Sequence, residues 1–153
     1  MKRKSTAVWK GTGNEGKGNL TSTSGALKNI PYSFSARFVS EDGKEGTNPE
    51  ELIAAAHAGC FAMALSFGLT AAGFKPTELK TDATVTVVNE PGGWVIQSSH
   101  LDVVGDVPNI SEAKFIELAN DAKKNCPVSK ALDAIDITLS AKLKREEIHV
   151  SGA

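Results

Sequence analysis

From residue 51 to residue 74 the chain reads ELIAAAHAGCFAMALSFGLTAAGF, an almost uncharged run whose apolar residues fall on nearly every face of a helix. Such a helix must be enclosed on most sides, by sheet or by a second copy of the chain. Its start is marked by Asn48 as N-cap, Pro49 at the first helical position, and Glu51 three residues past the cap, where it can close a capping box. Glu50 is left without a structural duty, and Gly73 ends the helix.

Elsewhere the apolar pattern has a period of two or of three to four. TAVWK and NLTSTSG read as short strands separated by the turn GTGNEGKG. Tyr32 to Val39 reads as a third strand, with Tyr32, Phe34, Ala36 and Phe38 on one face and Ser33, Ser35 and Arg37 on the other. The connector SEDGKEGTNP leads into the long helix. Beyond it, ATVTVV and WVIQSSHLDVV predict two longer strands joined by NEPGG. Ser111 caps a second helix with the stripe Phe115, Leu118, Ala119 and Ala122, and Lys123 and Lys124 suit the negative end of its dipole. Pro127 opens a short third helix with Cys126 at its cap. In IDITLSAKLK, Ile135, Ile137, Leu139, Ala141 and Leu143 share one strand face, and the tail REEIHVSGA is expected to be mobile.

This order predicts an α+β fold, a mainly antiparallel sheet packed on helices. No repeat or low-complexity tract divides the chain, so a single domain over residues 1–153 is expected. The apolar central helix adds the expectation of a dimer.

Charge narrows the partners. Lys+Arg 17 against Asp+Glu 18 leave a net charge of -1, with no basic surplus for nucleic acid and no polybasic block for an anionic membrane. A small neutral or apolar partner fits better. Leu52 to Phe74 is long enough to cross a bilayer, but its Ala and Gly content, the internal His57 and the lack of a flanking basic cluster favour a core helix. Two cysteines are too few for a disulfide scaffold, and MKRKSTAVWKG has no apolar signal segment. A cytoplasmic protein is expected, where a disulfide is more often catalytic or redox-sensing than structural.

Cys60 admits three readings: core filler, metal ligand or nucleophile. Buried cysteines are common, which favours the first. Cys126 shifts the balance, because it precedes Pro127 at a helix start with Lys123 and Lys124 close in sequence, a setting that favours thiolate. For a metal, His57 and Cys60 are three apart and Cys126 could be a third ligand, yet there is no CxxC, and His100 and His149 lack ligand spacing, so no metal or other cofactor is expected. His57 as base of a Cys-His hydrolase lacks an evident oxyanion hole, and a satisfied core or interface histidine is the commoner role. A peroxidatic cysteine needs a nearby cation and a carboxylate to place it. Arg37 and Glu50 are the local candidates, against their plainer roles as a solvated strand residue and a first-turn charge.

PYSFSARF, GTNPEELIAAAHAGCFAMALS and NCPVSKAL, in that order and across nearly the whole chain, resemble the OsmC branch of the OsmC/Ohr family of thiol peroxidases. The resemblance implies an intertwined homodimer of α+β protomers with the two long helices packed in its core. It implies that Cys60 is peroxidatic and Cys126 resolving, that Glu50 is the family's carboxylate, and that Arg37 is its arginine; the Ohr branch takes that arginine from an earlier loop. It further implies organic hydroperoxides as substrate and a dithiol, carried on a lipoylated protein, as reductant.

Glu50 and Cys60 are ten positions apart, about 15 Å on a continuous helix. If both serve one site, either the helix breaks between them or Glu50 comes from the other protomer, and the second is preferred. Phe61, Met63 and Phe67 around Cys60 predict preference for a peroxide with an apolar tail over hydrogen peroxide. The rival from another class is a non-enzymatic dimer that binds an apolar ligand or senses redox state, its cysteines serving as packing or as the sensor.

Overall fold

The computed structural model describes residues 1–144; the tail REEIHVSGA, expected to be mobile, lies outside the described residues. The elements run β1 (Ser5–Lys10), β2 (Lys17–Ser22), β3 (Ile30–Ser33), a π-helical turn (Ser35–Val39), α1 (Pro49–Ala71), β4 (Glu78–Glu90), β5 (Gly93–Asp106), α2 (Glu112–Asn125), α3 (Pro127–Ala131) and β6 (Asp136–Leu143). These residues group into two compact units, the first Met1–Leu52 and the second beginning at Ile53.

The first unit carries an antiparallel sheet in the order β1-β2-β3. Trp9, Gly18 and Tyr32 are in register across it, and the Trp9 and Tyr32 rings lie 5.3 Å apart. A Cβ on Gly18 would stand 2.6 Å from the Tyr32 ring and 2.7 Å from the Trp9 ring, so the close approach requires glycine.

The third strand is shorter than its alternation predicted. β3 stops at Ser33, and Ser35–Val39 winds into a π-turn in which the Ser40 amide donates to the Ser35 carbonyl at 2.9 Å. The Ser33 hydroxyl accepts from the Ala36 amide at 3.1 Å, drawing the chain out of the sheet. The misleading signal is Phe34 and Phe38: four positions apart, they share a face in a strand and also in a helical turn, where their rings now pack 5.3 Å apart.

α1 is unbroken from Pro49 to Ala71. Asn48 Oδ1 accepts from the Glu51 amide at 2.8 Å, as an N-cap should; Glu51 itself takes a hydrogen bond from the Thr47 hydroxyl at 2.9 Å, so the capping box is half closed. At the other end Gly73 has φ +91° and the Phe74 amide reaches the Leu69 carbonyl at 2.9 Å, closing the helix as expected.

In the second unit β4 and β5 form a long antiparallel hairpin, with a bulge at Thr86/Val87, and β6 pairs with β5 in parallel. Antiparallel pairing predominates among the described strands, as expected; β6 differs because α2 and α3 carry the chain back before it enters the sheet. Ser111 caps α2 by accepting from the Lys114 amide, and Phe115, Ala119 and Ala122 are buried as the helical stripe predicted.

His57, Phe61, Leu65 and Leu69 recur every fourth residue along α1 and are fully buried. They join a core formed with Leu101 and Val103 of β5, the buried face of α2, and Cys126. The opposite face of α1, Ala55, Gly59, Met63 and Phe67, is exposed, Met63 by 64% and Phe67 by 70%. α1 is the one helix among the described residues with the length and apolarity to cross a membrane.

Candidate active site

In the first unit the structure joins Arg37 to Glu50. Arg37 Nη2 lies 2.7 Å from Glu50 Oε1, and Nε donates to Oε1 at 3.1 Å and to Oε2 at 3.3 Å. This two-armed contact fixes the guanidinium plane as a single-point contact would not. The π-turn makes it possible by taking Arg37 off the strand where alternation had placed it, and Glu50 arrives on the first turn of α1. Its carboxylate is buried there, with the arginine compensating the charge.

The guanidinium also stands over the Phe38 ring, 4.7 Å from its centroid. Trp9, Tyr32, Phe34, Arg37 and Phe38 line a cavity of about 240 Å³. An oriented cation beside aromatic walls suits a ligand with a polar head and an apolar body.

In the second unit the structure joins Cys60 to Cys126. Both are free thiols, Cys60 partly exposed and Cys126 fully buried between α2 and α3. The two thiols lie close enough to act on each other, and the Val128 backbone N–H lies near the Cys60 sulfur. Burial pushes the Cys60 thiol up from its ordinary range, and contact with Cys126 pushes the same way; the Val128 amide opposes them. Pro127 has no N–H, so Val128 supplies the first amide that α3 can donate. The amide at this helix start thus acts on Cys60. Lys123, also read as part of that setting, instead extends to the Ile137 carbonyl at 3.4 Å.

His57 sits fully buried one turn before Cys60. Its Nδ1 is 2.7 Å from Ser99 Oγ and its Nε2 is 2.8 Å from Ser129 Oγ. Burial holds its pKa below the usual histidine range, so the ring is neutral near pH 7. With both nitrogens engaged by hydroxyls, His57 has no lone pair to spare as a base or ligand for Cys60. It is a satisfied core histidine.

Of the three apolar residues expected around Cys60, one is buried and two are exposed. Phe61 is locked in the core, whereas Met63 and Phe67, three and seven positions after Cys60, share its side of α1 and are exposed. Sequence reading also missed Trp9 and Tyr32 as cavity walls, Ser99 and Ser129 as partners of His57, and the Val128 amide. Only Pro127 hinted at any of these, by marking a helix start beside a cysteine.

Two neighbouring free thiols on an α+β scaffold suggest a class, and the chain belongs to the OsmC-like protein family, whose model matches residues 41–140. That span contains Glu50, Cys60 and Cys126, while Arg37 precedes it. Among curated proteins the chain is 44% identical over 142 residues to Peroxiredoxin OsmC of Escherichia coli (strain K12), covering 93% of this chain and 96% of that protein. It is 35% identical over 100 residues to the Organic hydroperoxide resistance protein of Xanthomonas axonopodis pv. citri (strain 306), covering 64% of this chain and 68% of that one. The crystal structure of the Organic Hydroperoxide Resistance Protein OhrB of Bacillus subtilis superposes with a TM-score of 0.68 at 26% identity, over 92% of this chain and 98% of that chain.

Proposed function

We propose that the protein is a cysteine-based peroxidase that reduces organic hydroperoxides to alcohols, acting in the cytoplasm as a homodimer. The observation that carries this reading is the neighbouring pair of free thiols, Cys60 on the long helix and Cys126 at the start of α3. The names of the relatives, a peroxiredoxin and organic hydroperoxide resistance proteins, support the reaction class.

In the mechanism, the Val128 amide and the Arg37 guanidinium stabilise the Cys60 thiolate. The thiolate attacks the terminal oxygen of ROOH; an S–O bond forms, the O–O bond breaks, and the alkoxide takes a proton and leaves as ROH. Cys126 then attacks the sulfenic acid sulfur, and water departs as the Cys60–Cys126 disulfide forms. A dithiol, carried on a lipoylated protein, restores both thiols by exchange and leaves as its own disulfide. The aromatic cavity beside Arg37 accepts the apolar tail, whose burial is favourable by roughly 25 cal/mol per Å².

Since α1 is unbroken, ten positions along it separate Glu50 from Cys60 by about 15 Å. We therefore assign to each Cys60 the Arg37–Glu50 pair of the other protomer. The exposed apolar face of α1 supports the dimer, because a second α1 would cover Met63 and Phe67.

The test is consumption of cumene hydroperoxide and of hydrogen peroxide with dihydrolipoamide as reductant. Cys60-dependent turnover favouring the organic peroxide is expected, with Cys60→Ser inactive and Cys126→Ser consuming about one equivalent before it stalls or over-oxidises. Absence of turnover with any dithiol would leave the apolar-ligand-binding or redox-sensing dimer.

A further inference from the structure

His57 takes no part in the steps above, yet it occupies an unusual position. It is fully buried, three residues before the nucleophile on α1, and its two nitrogens meet hydroxyls on two other elements: Ser99 of β5 at 2.7 Å and Ser129 of α3 at 2.8 Å. A neutral imidazole has one N–H and one lone pair, and a hydroxyl can serve either, so both contacts are satisfied at once. The ring is thus a polar bridge through the core between the helix that carries Cys60, the central strand of its sheet, and the short helix that follows Cys126.

α3 depends on such a tie. It has five residues, too few to hold a helix by its own hydrogen bonds, and Cys126 makes no side-chain cap at its start. Nevertheless two groups around it must be placed accurately on the Cys60 sulfur: the Cys126 thiol and the Val128 amide, which precedes Ser129 in the chain. Ser129 is itself buried, and its hydroxyl is the point at which α3 is fastened to α1.

We propose that His57 is a positioning residue for the thiol chemistry: by bridging Ser99 and Ser129 it holds α3 so that the Cys126 thiol and the Val128 amide both face Cys60. This rests on the peroxidase assignment for its biological purpose, but the geometry it concerns exists without a peroxide. Its consequence is kinetic, because the rate at which two thiols close into a disulfide follows how well they are oriented toward each other.

The experiment uses the full chain and no peroxide. Reduced wild type, His57→Leu, His57→Gln and Ser129→Ala are exposed to diamide, which takes up the two electrons and two protons as the Cys60–Cys126 bond forms. Closure is timed by acid quench and mass spectrometry, and folding is checked by circular dichroism. His57→Leu, which fills the site without bridging it, should close about tenfold more slowly, in line with the loss of one hydrogen bond at a charged sulfur and of orientation. His57→Gln, with a donor and an acceptor of its own, should recover most of the rate.

Folded His57→Leu closing at the wild-type rate would overturn the proposal. If that variant does not fold, Ser129→Ala decides, since it cuts only the tie to α3; slow closure supports the bridge and wild-type closure refutes it. A wild type that closes its disulfide normally but never turns over a hydroperoxide would sink the peroxidase assignment and leave the positioning role standing.

Discussion

Arg37 meets Glu50 through two of its nitrogens, Nη2 at 2.7 Å from Oε1 and Nε at 3.1 Å and 3.3 Å from the two carboxylate oxygens. A guanidinium held in this way presents its remaining N–H groups in a fixed direction.

Arg37→Lys keeps the charge but cannot hold that plane. It should lower kcat/KM for cumene hydroperoxide by about 100-fold, the scale on which removal of an oriented donor acts. Closure of the Cys60–Cys126 disulfide by diamide should be unchanged. Steady-state rates beside the closure assay separate a defect in peroxide activation from one in resolution, and equal kcat/KM for variant and wild type would exclude Arg37 from catalysis.

The proposed function places the apolar tail of the peroxide in the aromatic cavity. Trp9→Ala removes one wall, and losing about 60 Å² of tail burial at about 25 cal/mol per Å² corresponds to about tenfold in rate ratio. The ratio of kcat/KM for cumene hydroperoxide to that for hydrogen peroxide should fall by this factor. A fall in both rates by one common factor would mean that the tail binds elsewhere.

Met63 and Phe67 test the dimer. Phe67→Lys places a charge on the exposed apolar face of α1, where a partner would have to desolvate it. Sedimentation should show a monomer, and peroxidase turnover should be lost even though Cys60 and Cys126 are intact. An active dimer would move the interface to another surface.

Burial lowers the His57 pKa from 6.5, so the unfolded chain binds this proton more readily than the folded one. The neutral bridge contributes full stability above pH 6.5, and that contribution declines as the pH falls through 6.5 and toward the lower folded value. Urea midpoints of wild type should therefore drop faster between pH 7 and pH 5 than those of His57→Gln. Parallel curves would mean that His57 is not buried neutral in solution.

Much of the molecule is legible in the order of its residues, because caps and periodicities act over a few positions. Asn48, Gly73 and Ser111 place helix ends, and the stripe Phe115, Ala119 and Ala122 identifies the buried face of α2. The three motifs around Arg37, Cys60 and Cys126 suffice to suggest the family.

What local pattern leaves open is decided by distant contacts. Alternation at Phe34 to Phe38 fits a strand as well as a turn, and the turn is the form that brings Arg37 to Glu50. Side-chain periodicity also says nothing of strand direction, so the parallel pairing of β6 with β5 emerges only when α2 and α3 pack. The same packing sets the Val128 amide on Cys60 and ties His57 to two serines, 42 and 72 positions away. A backbone amide is common to nearly every residue and two serines so remote share no local pattern; only folding gives them an address.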